Sequence, residues 1–135
     1  MLHKKPLLKE IFILATVVAL LHVAALELYL YWTVDWFDIV MHFLGGALIG
    51  LLAIFAFYIS GYINFPKDHK GSVFAITLSA VLVVGLGWEL WELFLGWTDV
   101  LADRGDTILD LIMDTIGGVV AFLYAKRFVW LSNNK

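Results

Sequence analysis

Cysteine is absent from the 135-residue chain, which excludes a disulfide frame, a thiolate metal site and a thiol nucleophile. Charge is scarce. Only 16% of residues are charged and 62% are hydrophobic, whereas soluble domains carry roughly 25% charged and 45–50% apolar residues. That imbalance excludes an ordinary soluble globule and a disordered chain. Nine basic residues face twelve acids, for a formal net charge of -3. No general basic surface is left for a phosphate backbone, so nucleic acid is excluded as a partner. There is no long linker, low-complexity tract or internal repeat, and the length is about one domain's worth. Neither a Ser-His-Asp arrangement with its own turn motif nor a Gly-rich phosphate loop occurs.

What the chain has in quantity is long apolar runs. A bilayer core of about 30 Å needs roughly 20 apolar residues as helix. Four stretches meet that length, at about 11–32, 36–60, 72–97 and 107–130, separated by short polar breaks, one of them containing Pro66. Hydrocarbon cannot solvate backbone N–H and C=O groups, so spans must be helices or a closed barrel. These runs lack the alternation of barrel strands. The expected fold is all-α, an integral membrane four-helix bundle forming a single transmembrane domain over residues 1–135. The first run follows Lys4, Lys5 and Lys9 as a signal peptide would, but it is too long for such a segment and ends without a small-x-small cleavage site. It is read as a retained helix.

Basic residues give the orientation. Lys4, Lys5 and Lys9 precede the first span, Lys67 and Lys70 lie between the second and third, and Lys126, Arg127 and Lys135 follow or close the fourth. Only Arg104 falls on the other side. Both termini are therefore expected to be cytoplasmic in a plasma (inner) membrane, with Trp32, Trp36 and Trp97 at the outer interface and Trp130 at the inner one.

The acids are distributed in the opposite sense. Glu10 and Asp68 fall on the cytoplasmic side; the other ten fall in the outer half. Asp99, Asp103 and Asp106 read as solvated loop residues, and Asp106 and Asp35 also stand where each could cap a helix. Deeper lie His42, Glu89, Glu92, Asp110 and Asp114, roughly 5–12 Å inside the ends of their helices at about 1.5 Å rise per residue. Ionisable groups inside a membrane are costly and call for a compensating reason.

Residues four apart share a helix face. The second span carries Asp38, His42, Gly46 and Gly50 at that spacing, and the fourth carries Asp106, Asp110, Asp114 and Gly118. The third carries Gly85, Glu89, Glu92 and Gly96 at alternating four- and three-residue steps. Because small residues let membrane helices approach closely, the polar stripes are expected to be the packing faces and the acids to converge inside the bundle. Glu27 is a possible addition to this group. His22 lies near the middle of the first span, off its line, where interhelical hydrogen bonding explains it.

The segments FDIVMHFLGGALIG, GWELWELF and GDTILDLIMDTIGG, in this order, resemble the small bacterial inner-membrane proteins of the YjdF-like group and, more distantly, the VanZ-like proteins. His42 and Phe43 match the His-Phe element, Glu89 and Glu92 the paired glutamates, and Asp106 with Asp110 or Asp114 the terminal acids. The resemblance implies a shared architecture and a shared site, without an activity.

Three functions fit these features. In the first, His42, Glu89, Asp110 and Asp38 ligate a divalent metal (Zn, Mn, Fe or Mg), and the chain is a hydrolase of a lipid or lipid-linked substrate, with Glu92 and Asp114 as catalytic carboxylates. In the second, the acidic funnel attracts a cation or proton for transport or sensing; the apolar cytoplasmic halves of the helices favour a one-sided site over a through-pore. In the third, the stripes serve a homo-oligomer or a non-catalytic subunit of a membrane complex.

Overall fold

The computed structural model of the protein describes residues 7–63, 70–97 and 104–131. Among the described residues there are helices and no strands: α1 (Leu8–Glu27), a single turn α2 (Leu30–Thr33), α3 (Phe37–Ile54) continued by a π-helical turn (Phe55–Ile59), α4 (Lys70–Leu95) and α5 (Arg104–Leu131). Four of them, α1, α3 with its π turn, α4 and α5, are long and apolar enough to cross a membrane. The loop residues Lys67, Asp68, His69, Asp99 and Asp103, and the terminal Lys4, Lys5 and Lys135, lie outside the described residues.

The first apolar run does not stay helical to residue 32. It breaks after Glu27, where Tyr29 takes a left-handed conformation (φ 57°) and the Leu28 N–H closes on the Ala24 carbonyl at 2.9 Å. Such a conformation costs a residue with a Cβ about 1–2 kcal/mol. Ring contacts around α2 accompany the break: Tyr31 meets Phe37 edge-on at 5.6 Å, and Trp32 meets Trp97 at 6.1 Å. The expected caps do not form. The residue preceding α3 is Trp36, without a side-chain cap bond, and α5 begins two residues before Asp106, which lies in its first turn. There Asp106 still faces the positive end of the helix dipole.

At the far end of α4 the chain leaves the helix through Gly96 (φ 71°). Its N–H bonds the Leu93 carbonyl and the Trp97 N–H bonds the Glu92 carbonyl, at 3.1 and 3.0 Å. This is the glycine-terminated closure that satisfies orphan carbonyls. Gly96 is thus a helix stop and not part of a packing face.

The tightest packing joins α3 to α5. A methyl group on Gly46 would strike the Asp114 backbone, and one on Gly117 the Phe43 carbonyl; Gly50 faces Gly118 and Ala121. These glycines bring two helix backbones into direct contact, as small residues do where lipid offers no hydrophobic drive for association. Helix α4 packs on both α3 and α5, whereas α1 packs mainly on α3. Away from α2 the interior is chiefly apolar, built from Ile11, Leu51, Ile54, Val73, Ala125 and Val129. Toward α2 a smaller apolar cluster of Ala25, Phe37 and Met41 packs with Leu30, Tyr31 and Val34, and beside it the core also holds ionisable groups.

Candidate metal centre

Three helices deliver the ionisable groups, and the reason is their common period. Asp38 and His42 lie one turn apart on α3, Glu89 and Glu92 one turn apart on α4, and Asp110 and Asp114 one turn apart on α5. The glycine contacts turn these faces toward one another. Gly85 contributes directly: a methyl group there would collide with the Asp114 carboxylate, so its absence lets that side chain lie between α4 and α3.

His42 stands at the centre. Its Nε2 lies 3.7 Å from Asp38 Oδ1, 3.8 Å from Glu89 Oε1 and 3.9 Å from Asp110 Oδ2. Its other ring nitrogen, Nδ1, is 3.3 Å from Asp114 Oδ2. All except Asp38 are buried, and Asp110 is only 2% exposed. Asp38, His42 and Asp110 each present one ligand atom within 4.8 Å of the others. Two ligands at about 2.0–2.2 Å from one ion stand about 3.3–3.6 Å apart at a tetrahedral angle and farther apart at wider ones. The distances around Nε2 fall just above that range. They are too long for hydrogen bonds.

The same groups show an unmet demand. Glu89 Oε1 and Asp110 Oδ1 are buried without a hydrogen-bond partner, a condition that costs about 1–3 kcal/mol per group, and more where charge is involved. Carboxylate oxygens left bare beside an imidazole nitrogen suit a divalent cation that accepts nitrogen and oxygen donors.

Glu92 is placed differently. It is buried, its Oε1 accepts a 2.8 Å hydrogen bond from Trp88 Nε1, and it is not among the carboxylates within 4.0 Å of the His42 nitrogens. Glu27 is exposed and takes no part. His42 thus lies among acids of α4 and α5, with Asp38 beside it on its own helix.

The cluster borders a cavity of about 500 Å³, whose lining includes Asp38, His42 and Asp114 together with His22 and Tyr31. The sequence places His22 off the polar group, yet it shares this cavity. Its Nδ1 is 2.7 Å from the Tyr31 hydroxyl, and its ring meets Trp88 edge-on at 5.9 Å. No spacing rule links His22 to Tyr31 across the break at Tyr29. The available signal was an imidazole at mid-membrane, which by itself points to function.

A family model described as predicted membrane protein (DUF2238) matches residues 2–130. No curated protein and no solved structure matches the chain.

Proposed function

The chain belongs to the DUF2238 family of predicted membrane proteins, and from that premise we propose that it carries a divalent-metal centre at the α2 end of the bundle, serving hydrolysis of a lipid or lipid-linked substrate. The observation that carries this reading is the two-sided environment of His42. In the tautomer whose Nδ1–H donates to Asp114, the ring presents the Nε2 lone pair to the space shared with Asp38, Glu89 and Asp110. A carboxylate behind a histidine that faces a metal fixes its tautomer and raises its basicity. Asp114 is thereby a positioning residue more than an acid or base. Glu92, outside the ligand shell, is the carboxylate left to take a proton from the attacking water. A divalent ion held by His42 and the acids supplies Lewis-acid polarisation of an ester or phosphoryl oxygen. Zn, Mn, Fe and Mg all suit this donor set.

The chiefly apolar interior away from α2 supports a one-sided site over a through-path for ions. The distribution of lysine and arginine supports placing that apolar end toward the cytoplasm, with both termini inside a plasma (inner) membrane and the metal centre on the outer side. Because the protein lacks cysteine, single substitutions report cleanly. Asn64→Cys is expected to react with an impermeant maleimide only after the membrane is opened, and Val100→Cys in intact cells; the reverse pattern would invert the topology.

Metal analysis tests the central claim. Protein purified without chelators is expected to hold about one divalent ion per chain, and metal-free wild-type protein that also fails to take up any of the four ions would remove the proposal. Asp114→Asn is expected to keep the site while lowering metal affinity about 10–100-fold, the range typical of a lost outer partner. Titration calorimetry in detergent would read this, and unchanged affinity would detach Asp114 from the centre.

A further inference from the structure

The cavity beside the metal centre has a second, apolar part. Beyond Asp38, His42 and Asp114 its walls include Val18 of α1, Leu48 and Ile49 of α3, and Val81 and Val84 of α4. The polar pair on its wall, His22 and Tyr31, is already hydrogen-bonded within itself. A water-soluble metabolite would find little to bind along these walls, and apolar cavities stay dry and admit apolar guests. The volume, about 500 Å³, lies within the range of about 300–1,000 Å³ typical of ligand pockets.

The way in is sideways. Helix α1 packs mainly on α3 and forms no extensive contact with α4, so the two leave a gap whose crosspiece is the edge contact of His22 with Trp88. Ala19 on α1, and Val84 and Trp88 on α4, line the cavity and are exposed, not closed over by a neighbouring helix. With α1 and α4 so sparsely joined, these exposed residues mark the open side of the cavity. Since α1 and α4 are membrane-crossing helices, that side opens on the hydrocarbon of the bilayer.

We infer that this cavity holds one hydrocarbon chain of a membrane lipid, admitted between α1 and α4, with the lipid's oxygen-rich head at the Asp38–His42 end. The assignment rests on the metal-dependent reading of the site and adds where the nonpolar part of its substrate lies. The head end is crowded with carboxylates, so a negatively charged head is held there only through the cation they bind. The apolar walls hold the chain without it.

Gly45 offers a test that spares the fold. It lines the cavity, and a Cβ built on it meets nothing within 4 Å. Gly45→Phe therefore fills the cavity from an open position, and Gly87→Phe, equally open but outside the lining, is its control. The probe is phosphatidylglycerol with a mid-chain diazirine, incorporated in vesicles with the purified protein, illuminated, and its adducts mapped by mass spectrometry. In wild type, adducts are expected on Val18, Leu48 and Val84. In Gly45→Phe these fall at least about tenfold, the loss expected when a few methylenes are kept out of an apolar site, and in Gly87→Phe they persist. Equal labelling in wild type and Gly45→Phe, or adducts confined to outward residues such as Phe12 and Val83, would overturn the inference. Metal content measured on the same samples separates the two claims. Metal-loaded protein with labelling insensitive to Gly45→Phe removes the chain site and keeps the metal. Labelling blocked by Gly45→Phe in protein that takes up no metal does the opposite.

Discussion

Exchanging His42 for Ala is expected to lower the metal affinity by more than about 100-fold, beyond the range for an outer partner, and to abolish any activity that depends on the ion. His42 contributes the nitrogen on which Asp38, Glu89 and Asp110 all converge at 3.7–3.9 Å. Without it the oxygens remain but share no common partner. His22→Ala, on the other wall of the cavity, is expected to leave the metal in place, and so is His69→Ala. Mass-spectrometric metal counting on the three variants makes the comparison, with His42→Gln added to hold the volume of the side chain should the alanine variant fold poorly. Equal metal content in all three would dissociate His42 from the site.

The second large effect is expected from a single methyl group. Gly117→Ala places that methyl against the Phe43 carbonyl and 2.7 Å from the Ala47 nitrogen, and both are backbone atoms of α3 that cannot swing aside. Overpacking of this kind costs about 1–3 kcal/mol and can cost more. Gly46→Ala meets the Asp114 backbone in the same way from the other helix. Both changes push α3 from α5 and carry Asp114 and Asp110 away from His42, so thermal stability and metal affinity are expected to fall together. Gly45→Ala and Gly87→Ala, where no atom lies within 4 Å of the added group, are expected to be silent in both. A stable, metal-loaded Gly117→Ala variant would contradict the close backbone contact.

Much of the site was legible because the helical period leaves little freedom once a span is recognised. Asp38, His42 and Gly46 must share a face, as must Asp110, Asp114 and Gly118, and a bundle turns its glycine faces inward. What spacing cannot give is the role of each group within the cluster. That Asp114 lies behind His42 while Glu92 lies outside its shell depends on the depth of each side chain between helices. Adjacent glycines show the same limit: both line the cavity, but Gly46 also touches α5, whereas Gly45, one position along and so turned to another side, has open space before it. The break of α1 was hidden for a different reason. Its left-handed residue is Tyr29, with no glycine or proline nearby to mark it, and its contacts with α2 and α3 form only in the folded chain. His22 and Tyr31 meet through that break, which is why neither was placed at the cavity.

The long sequence separation across the site also gives the molecule a timetable. The bond from His42 to Asp114 joins positions 72 residues apart, a stretch that takes about 4–14 s to synthesise at ~5–20 residues per second. Glu89 arrives within that interval on α4, but until its end a nascent chain holds Asp38 and His42 in the bilayer without Asp110 and Asp114. Then α5 arrives, bringing Asp110, Asp114, Gly117 and Gly118 together on one helix. Completion of the charged cluster and docking of α5 are thus one late event. A ribosome stalled before that helix leaves a product whose intramembrane acids stay uncovered, and this is the kind of defect by which membrane proteases tell an unfinished polypeptide from a finished one.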